Sequence, residues 1–244
     1  YDFIGKYYFF ELKLICMSLS IIIACYNEQQ TIEPIIKLIR SQQPNSELIV
    51  IDDGSTDGSK EWLQKHAKQF NFLLICHPEN QGKGAALQSG FHLATQDIVI
   101  IQDADLEYDP CHYPQLIQPI QDNIADIVYG SRFLDKKLYS SNYFLSYLAN
   151  KFLTWLSNLL NQQTLTDMET CYKVFRRDII QSLRLTENGF GIEPEITTKL
   201  AKQPYRFHEV AISYHGRGYS DGKKIGILDF FWAIFCIFRY RFLN

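Results

Sequence analysis

The chain has 244 residues, of which 46% are apolar and 21% are charged, and this composition excludes disordered, collagen-like and coiled-coil proteins. Its length fits one α/β domain with a modest appendage. Lysine and arginine number 24 against 27 aspartate and glutamate residues, and the formal net charge of −3 excludes a broad basic surface for nucleic acid. We therefore expect no nucleic-acid partner.

Residues 1–16 mix aromatic, charged and apolar types without a clear period, whereas Met17 opens a clean strand pattern. We interpret 1–16 as an amino-terminal extension that need not be native, with an extra strand or an anchor as open alternatives. The extension lacks a small-residue cleavage site and therefore does not resemble a signal peptide. The longest apolar run, 230–238, is too short for a membrane-spanning helix, which needs about 18 apolar residues.

The cysteines are scattered, without a C-x-x-C pair and without the paired cysteine and histidine spacings of a zinc site. This distribution favours reduced, mostly buried thiols in a cytosolic compartment over a disulfide framework or a zinc site. The histidines do not cluster either. Only His215 lies in a motif loop, and we interpret the others as surface or packing residues.

Apolar runs that alternate with helical patterns predict an α/β fold. Runs rich in isoleucine and valine predict five strands, at 19–24, 48–51, 72–75, 98–101 and 127–129. Because these runs are continuous rather than alternating, they are typical of strands buried on both faces of a parallel sheet. Apolar residues at helical spacing predict crossover helices, at Ile32, Ile35, Ile36 and Ile39 and again at Trp62, Leu63, Ala67 and Phe70. The first 130 residues therefore predict a βαβαβ unit with ligand loops at the carboxyl ends of its strands.

Four polar clusters stand where the predicted strands end. They are Tyr26-Asn27-Glu28, Asp52-Asp53-Gly54-Ser55, Asn80-Gln81-Gly82-Lys83-Gly84 and Asp103-Ala104-Asp105. One such cluster is ordinarily a turn or a helix cap, but four in succession at one sheet edge favour a ligand site. The phosphate-binding turns of dinucleotide-binding proteins and P-loop proteins are absent from the sequence.

Asp103 and Asp105 follow a buried strand, and Ala104 is expected to turn away between them. Hard divalent cations such as Mg²⁺ or Mn²⁺ take oxygen ligands and complete their shell with water and substrate phosphates. The pair therefore suits a metal-bound nucleotide diphosphate, with Glu107 as a further oxygen donor. The alternative is a solvated acidic turn that runs into Asp109-Pro110.

Six strings resemble, in order and spacing, the family two glycosyltransferases of the GT-A fold. They are SIIIACYNEQQTI, VIDDGSTDGS, NQGKGAALQSGF, IIQDADLEYDP, YGSRF and TDMETCYKVFRRD. The closest resemblance is to the branch around dolichyl-phosphate mannose synthase and the bacterial polyprenyl-phosphate glycosyltransferases, and it spans roughly Leu19 to Tyr240. It implies a Rossmann-like, mostly parallel sheet flanked by helices. It also implies a GT-A domain over 17–225 and a carboxyl-terminal amphipathic helix over 226–244.

On the donor side, the resemblance implies that Tyr26 and Glu28 lie in the first nucleotide loop. Asp53 matches the acid that contacts the base, and Lys83 with Gly84 matches the loop beside the base and ribose.

The resemblance also implies that Mg²⁺ or Mn²⁺ is held by Asp103 and Asp105, with Glu107 where relatives often have glutamine. A further loop, HGRGYSDGKK, matches one that closes over the diphosphate, with Arg217 as its key cation and Lys223 beside it.

On the acceptor side, the resemblance places Arg132 at the acceptor phosphate and Glu169 near the point of attack. The segment 135–142 lacks an expected second arginine, and only Lys136 and Lys137 are available as point charges. A sugar hydroxyl therefore stays open as the alternative acceptor. Ala24 replaces a proline found in many relatives, which is a modest change.

Four segments beyond the first 130 residues have readable patterns. Residues 143–160 predict a helix with a wide apolar face, and residues 227–238 predict an aromatic helix that ends near cations. Each suits either packing on the sheet or contact with a lipid interface. Glu193 and Glu195 predict the first turn of a helix that runs to Lys202, and 172–175 predicts another strand.

The sequence therefore predicts an inverting, metal-dependent hexosyltransferase. Its expected partners are a GDP- or UDP-hexose, a polyprenyl phosphate and the cytoplasmic face of a membrane, which it meets peripherally. The alternatives are transfer to a sugar hydroxyl in cell-surface polysaccharide synthesis and a non-catalytic nucleotide-sugar-binding protein.

Overall fold

The computed structural model describes residues 17–135, 139–140, 144–216 and 226–243. The predicted extension and the side chains of Lys136, Lys137, Arg217 and Lys223 lie outside this description. The strands are β1 (Leu19–Cys25), β2 (Glu47–Asp52), β3 (Leu73–Cys76), β4 (Ile98–Asp103), β5 (Ile127–Ser131), β6 (Tyr139–Ser140), β7 (Lys173–Arg176), β8 (Phe207–Ala211) and β9 (Tyr214–His215). The α-helices are α1 (Ile32–Gln42), α2 (Ser59–His66), α3 (Lys83–Leu93), α4 (Tyr113–Gln121), α5 (Phe144–Asn161), α6 (Arg177–Ser182), α7 (Ile192–Ala201) and α8 (Ile227–Phe242).

Seven strands form one sheet in the order β3-β2-β1-β4-β7-β5-β8, and β6 pairs with β9. All neighbours in the large sheet are parallel except β7, which runs antiparallel to both β4 and β5. Helices flank the sheet, so the predicted α/β class and its mostly parallel sheet are confirmed. The five predicted strands and the strand predicted at 172–175 are all present within a residue or two.

The register of the central strands places three of the predicted polar clusters side by side. Ala24 in β1 pairs with Asp103 in β4, and Cys25 pairs with Asp52 in β2. The isoleucines of β1 and the apolar residues of β2 and β4 are buried, because helices cover both faces of the sheet. The polar residues that follow these strands consequently emerge together at one edge.

Two expectations about the sheet are wrong. Strand β3 lies at the sheet edge, where Leu73 is 46% exposed, so this run is not buried on both faces. A continuous apolar run cannot show that a strand lacks a neighbour on one side. Strand β5 does not continue the parallel unit after β4, because β7 inserts between them from much later in the chain.

Helices α5 and α8 leave a broad apolar surface uncovered. We call this surface the outward face; it comprises Leu145, Leu148, Phe152, Trp155 and Leu159 of α5 with Ile227, Leu228, Phe231, Trp232, Phe235, Phe238 and Phe242 of α8, each at least 43% exposed. Ring contacts connect the two helices: Phe152 lies 5.8 Å from Trp155 and 6.0 Å from Phe230, which in turn lies 5.5 Å from Phe231. The other side of α8 packs into the protein through Ala233, Cys236, Ile237 and Tyr240.

Within the described ranges, no helix combines the length and the apolar character needed to cross a bilayer. The described cysteines are all free thiols, with Cys25, Cys171 and Cys236 buried, which agrees with the expectation of reduced and mostly buried thiols.

Candidate active site

Side-chain hydrogen bonds join the loops that follow β1 and β2. Asn27 has a left-handed backbone (φ 52°), and its amide N–H donates to Ser55 Oγ at 3.0 Å. Its own side-chain oxygen accepts from the Thr56 N–H at 2.8 Å. Glu28, which is buried, donates its backbone N–H to Ser59 Oγ at 2.9 Å. The loop after β1 and the DDGST loop after β2 are therefore joined as one unit.

Asp53 holds in place the loop after β3, which carries the polar cluster at 80–84. Its carboxylate accepts backbone N–H groups of Gln81 at 3.0 Å and Gly82 at 2.8 Å, and His77 Nδ1 lies 2.6 Å away. Asp53 is 2% exposed, so its carboxylate bonds to the loop and not to solvent. His77, which the sequence pattern suggests to be a surface or packing residue, joins Asp53 to Ser89 through its ring, with Nε2 3.0 Å from Ser89 Oγ.

Gly82 and Gly84, in the polar cluster after β3, allow the backbone of another segment to approach closely. Gly82 has φ 101°, a conformation that favours glycine. A Cβ atom on Gly84 would collide with the carbonyl oxygen of Glu187. The Ala85 N–H donates to the Asn188 carbonyl at 3.1 Å, so the segment 187–188 forms one wall of this loop.

Gln102 fixes the end of β4, which carries the predicted metal carboxylates. It is fully buried, and its side-chain oxygen accepts from Tyr113 at 2.6 Å and from Tyr172 at 2.7 Å. Its side-chain nitrogen donates to the carbonyl of Asp103 at 3.1 Å. Ala104 is buried, as expected for a residue that turns away between two carboxylates.

The carboxylates of Asp105 and Glu107 are held by a local turn and by β9. Asp105 Oδ1 accepts the Glu107 N–H at 3.1 Å. The Tyr214 hydroxyl donates to Glu107 Oε2 at 2.7 Å, and the His215 N–H donates to the Glu107 carbonyl at 3.1 Å. Tyr214 was not singled out from the sequence, although it directly precedes His215, which was.

Lys83 contacts Asp103, the first of the carboxylates predicted to bind a metal. Its Nζ is 2.9 Å from Asp103 Oδ1 and 3.5 Å from Glu193 Oε1. Glu193 also pairs with Lys173, which is fully buried. Glu193 and Glu195 do begin helix α7, as predicted, and both are buried. Glu195 makes different contacts, since it accepts the backbone N–H groups of Thr186 and Glu187.

Arg132 and Asp167 form a buried bidentate ion pair. Nε and Nη2 of Arg132 each lie 2.7 Å from an Asp167 oxygen, and the Arg132 N–H donates to the same carboxylate at 3.0 Å. The guanidinium also lies over the Tyr214 ring, 5.2 Å from its centroid. Asp167 therefore takes the Nε and Nη2 edge of the guanidinium. Tyr214 thus links Arg132 to Glu107.

Glu169 has a buried Oε1 atom without a hydrogen-bond partner. Burial raises the pKa of Glu169 from 4.5 to about 7, against the opposing effect of the nearby Lys173 charge. A carboxyl group with a pKa near 7 exchanges protons readily at neutral pH, which suits a general base.

The carboxylates at the end of β4 fit a divalent cation that is shared with a substrate. Across the described parts of the chain, no three histidine, cysteine, aspartate or glutamate side chains are gathered as a complete ion site. Mg²⁺ and Mn²⁺ are commonly bound by one or two carboxylates together with substrate phosphates. Asp103, Asp105 and Glu107 are the side chains that could provide such an all-oxygen set, and Lys83 lies 2.9 Å from Asp103 in this structure.

Comparison with known proteins identifies the fold and the family of this arrangement. The profile of Glycosyl transferase family 2 matches residues 20–184. The undecaprenyl-phosphate mannosyltransferase of Micrococcus luteus is 26% identical over 221 residues, or 86% of this chain and 88% of the relative. The dolichol-phosphate mannosyltransferase of Pyrococcus furiosus is 26% identical over 92% of this chain, which spans 65% of that protein.

Among solved structures, the glucosyl-3-phosphoglycerate synthase of Mycobacterium tuberculosis with phosphoglyceric acid superposes with a TM-score of 0.72. It is 20% identical, and the match covers 93% of this chain and 80% of that one. The same enzyme with Mn²⁺, UDP-glucose and phosphoglyceric acid gives a TM-score of 0.70. These matches confirm the GT-A fold expected from the sequence.

Proposed function

The chain belongs to Glycosyl transferase family 2, and from this premise we propose that it transfers a hexose from a nucleoside-diphosphate sugar to a polyprenyl phosphate at a membrane surface, with inversion. Two relatives that match most of the chain are named for polyprenyl-phosphate acceptors. The location at the cytoplasmic face stays a prediction from the sequence.

The observation that carries this proposal is the contact between α5 and Phe133, the residue that follows Arg132. Phe133 follows Arg132 and contacts Tyr147 of α5 edge-on at 5.2 Å between ring centroids. Lys151 Nζ lies 4.9 Å from the centroid of the same Phe133 ring. An acceptor whose phosphate meets Arg132 would therefore lie close to α5, the helix that contributes Leu148, Phe152 and Trp155 to the outward face. A polyprenyl phosphate has both a phosphate group, which suits Arg132, and an apolar chain, which suits α5.

A lipid surface is the occupant that we propose for the outward face. Tryptophan and phenylalanine with cations at the end of a helix are typical of interfacial helices. Arg239 and Arg241 lie in the last turn of α8, where anionic headgroups would meet them. The aromatic side chains would then enter the boundary between headgroups and acyl chains.

We propose that Asp105 and Glu107 hold Mg²⁺ or Mn²⁺, joined by Asp103 when the donor is present. When bound, the ion neutralises charge on the departing nucleoside diphosphate. The structural neighbour binds Mn²⁺ together with UDP-glucose, which supports a divalent cation on this fold. The roles of Arg217 and Lys223 at the diphosphate stay predictions from the sequence.

In the proposed reaction, an acceptor phosphate oxygen attacks the anomeric carbon, and the bond from that carbon to the diphosphate breaks. A phosphate monoester has a second pKa of about 6 and arrives largely deprotonated, so it needs cations more than a base. Arg132 would orient that phosphate through Nη1, while Asp167 keeps the guanidinium fixed. The sugar nucleotide would bind against the loops that contain Asn27, Asp53 and Gly82.

Transfer to a sugar hydroxyl is the second candidate, and Glu169 favours it. A hydroxyl must lose its proton as it attacks, and Glu169 has a suitable pKa of about 7. The partnerless Oε1 atom gives it room to accept that proton.

Product analysis separates the candidates. The protein is incubated with labelled GDP- and UDP-hexoses, together with vesicles that carry a polyprenyl phosphate or with soluble sugars. Label in the lipid phase supports the proposal, and label only in the soluble sugars supports the hydroxyl acceptor. Tight donor binding without transfer or donor hydrolysis supports the non-catalytic alternative.

Two variants divide the acceptor classes by kcat at saturating donor. With a phosphate acceptor, Glu169→Gln should keep turnover within about tenfold of normal. Arg132→Ala should lose much more, since truncating one partner of a buried charge pair costs about 2 to 5 kcal/mol. A dead Gln variant beside a nearly normal Ala variant would replace the phosphate by a sugar hydroxyl.

A further inference from the structure

Four alternating charges form a row that leads from the sheet interior to the predicted metal carboxylates. Lys173 is fully buried and pairs with Glu193, which is 3% exposed. Glu193 approaches Lys83 at 3.5 Å, and Lys83 lies 2.9 Å from Asp103. We call these four residues the charge row.

Lys83 occupies a place that helix electrostatics disfavour. It is the first residue of α3, at the positive end of the helix dipole, where a cation is unfavourable. Only 19% of its side chain is exposed, so water offers little compensation. The two carboxylates beside it therefore hold it in place.

Lys173 keeps Glu193 neutralised whether or not Lys83 is present. Its ammonium group bonds to Glu193 and to the Thr170 carbonyl, and lies 4.8 Å from the centroid of the Tyr129 ring. Lys83 is therefore the member of the charge row that can leave its partners without stranding a buried charge.

The position of Lys83 bears on metal binding, because an ammonium group and a divalent cation compete for the same Asp103 carboxylate. We propose, on the basis of the metal-dependent function above, that Lys83 is an internal counter-ion of Asp103 that keeps free Mg²⁺ or Mn²⁺ from binding ahead of the nucleotide. The arriving diphosphate gives Lys83 another anion and releases Asp103 to the metal. Metal and nucleoside diphosphate then strengthen each other's binding by the same factor.

The test measures Mn²⁺ binding directly, by the electron paramagnetic resonance signal of free Mn²⁺ during titration of the folded protein. Lys83→Met keeps the length of the side chain but removes its charge. Without nucleotide, this variant should bind Mn²⁺ at least about tenfold more tightly than the unchanged protein, since a cation close to the ion has been removed. Saturating UDP or GDP should tighten Mn²⁺ binding about tenfold or more in the unchanged protein and much less in the variant.

Two controls separate this role from a structural one. Lys83→Arg keeps the charge and should retain weak Mn²⁺ binding without nucleotide. Lys199→Met removes another partly buried lysine that pairs with a glutamate of α7, at 2.7 Å, and should leave Mn²⁺ binding unchanged. Circular dichroism checks that each variant is folded.

A Met variant that binds Mn²⁺ no more tightly than the unchanged protein overturns the counter-ion role, even if transfer activity proves metal-dependent. Coupled binding of Mn²⁺ and nucleotide in a protein that glycosylates no lipid would instead overturn the acceptor proposal and leave the counter-ion role standing. If neither protein binds Mn²⁺ with or without nucleotide, the counter-ion role fails together with the metal site.

Discussion

Helices α1 and α5 are both amphipathic, yet they face opposite ways. In α1, Ile32, Ile35, Ile36 and Ile39 are fully buried, and the polar side faces solvent. In α5, Leu145 is 81% exposed and Trp155 is 57% exposed, whereas Thr154 is 3% exposed and Asn161 is 2% exposed. The apolar side of α1 supports the sheet. Most of the apolar side of α5 points away from the protein, while Leu153 and Leu156 are buried together with its polar residues.

The difference arises because the buried polar side of α5 builds the loop that follows it. Thr154 Oγ1 accepts the Met168 N–H at 3.1 Å. Asn158 donates to the Leu165 carbonyl at 2.7 Å and accepts its N–H at 3.1 Å. These bonds shape the segment that carries Asp167 and Glu169. A helix can therefore use its polar side to position a site and leave its apolar side for a lipid surface.

The largest expected contrast is in stability. Ile35→Ala should lower the free energy of unfolding by about 2 to 5 kcal/mol, because it removes buried methyl groups and leaves a cavity. Leu159→Ala on α5, at a position that is 61% exposed, should change it by no more than about 0.5 kcal/mol. Urea denaturation measures both. Similar losses at the two positions would show that α5 is covered in solution.

The apolar periodicity of both helices was readable from the sequence, but the direction of each face was not. A hydrophobic pattern reports which side of a helix is apolar, and only the neighbouring elements decide whether that side is buried. For α1 those neighbours were predicted strands. For α5 the neighbours are α7 and α8, which no local pattern could place against it.

The candidate site, too, could be predicted from the sequence only in part. The polar loops after β1, β2 and β4 were predictable, since parallel strands end at one edge. The ion pairs that join distant segments were not, because Lys83 with Glu193 and Arg132 with Asp167 are long-range contacts. Lys173 did leave a signal: a lysine inside an apolar strand needs a partner, and Glu193 is that partner.

The next prediction separates transfer activity from membrane binding. Asp105→Asn should reduce transfer by about two orders of magnitude or more, since the proposed ion carries the charge of the leaving group. Vesicle binding should not change, because Asp105 lies outside the outward face. Full activity in excess chelator would contradict the metal-dependent reaction.

A smaller effect is expected from the outward face. Replacing Trp155 and Phe231 together by serine should weaken co-sedimentation with anionic vesicles by about tenfold or more, as large apolar side chains no longer enter the interface. The matched control is Ile124→Ser, which removes an apolar residue that is 59% exposed but lies outside this face. Equal losses in the two proteins would remove the support for lipid contact. Substitution is preferable to deleting α8, whose Ile237 and Tyr240 are buried.

The last expected effect compares a carboxylate of α1 with the one in the loop after α5. Burial raises the pKa of Glu169 from 4.5 to about 7, so the folded protein holds this proton more tightly than the unfolded chain. The resulting stability is fully present below pH 4.5 and is lost as the pH rises through about 7. Glu169→Gln should remove this dependence and stabilise the protein by about 3 kcal/mol above neutral pH, because no buried carboxylate then has to ionise. The exposed Glu33, whose pKa is lowered mainly by its hydrogen bond to Lys37, has the opposite sign, so Glu33→Gln should not reduce the loss of stability at high pH. Thermal unfolding of the three proteins across this pH range measures the difference. An unchanged pH profile in the Glu169 variant would show that this carboxyl group is already ionised at neutral pH, and the candidate base would then have lost the property that distinguishes it from Glu33.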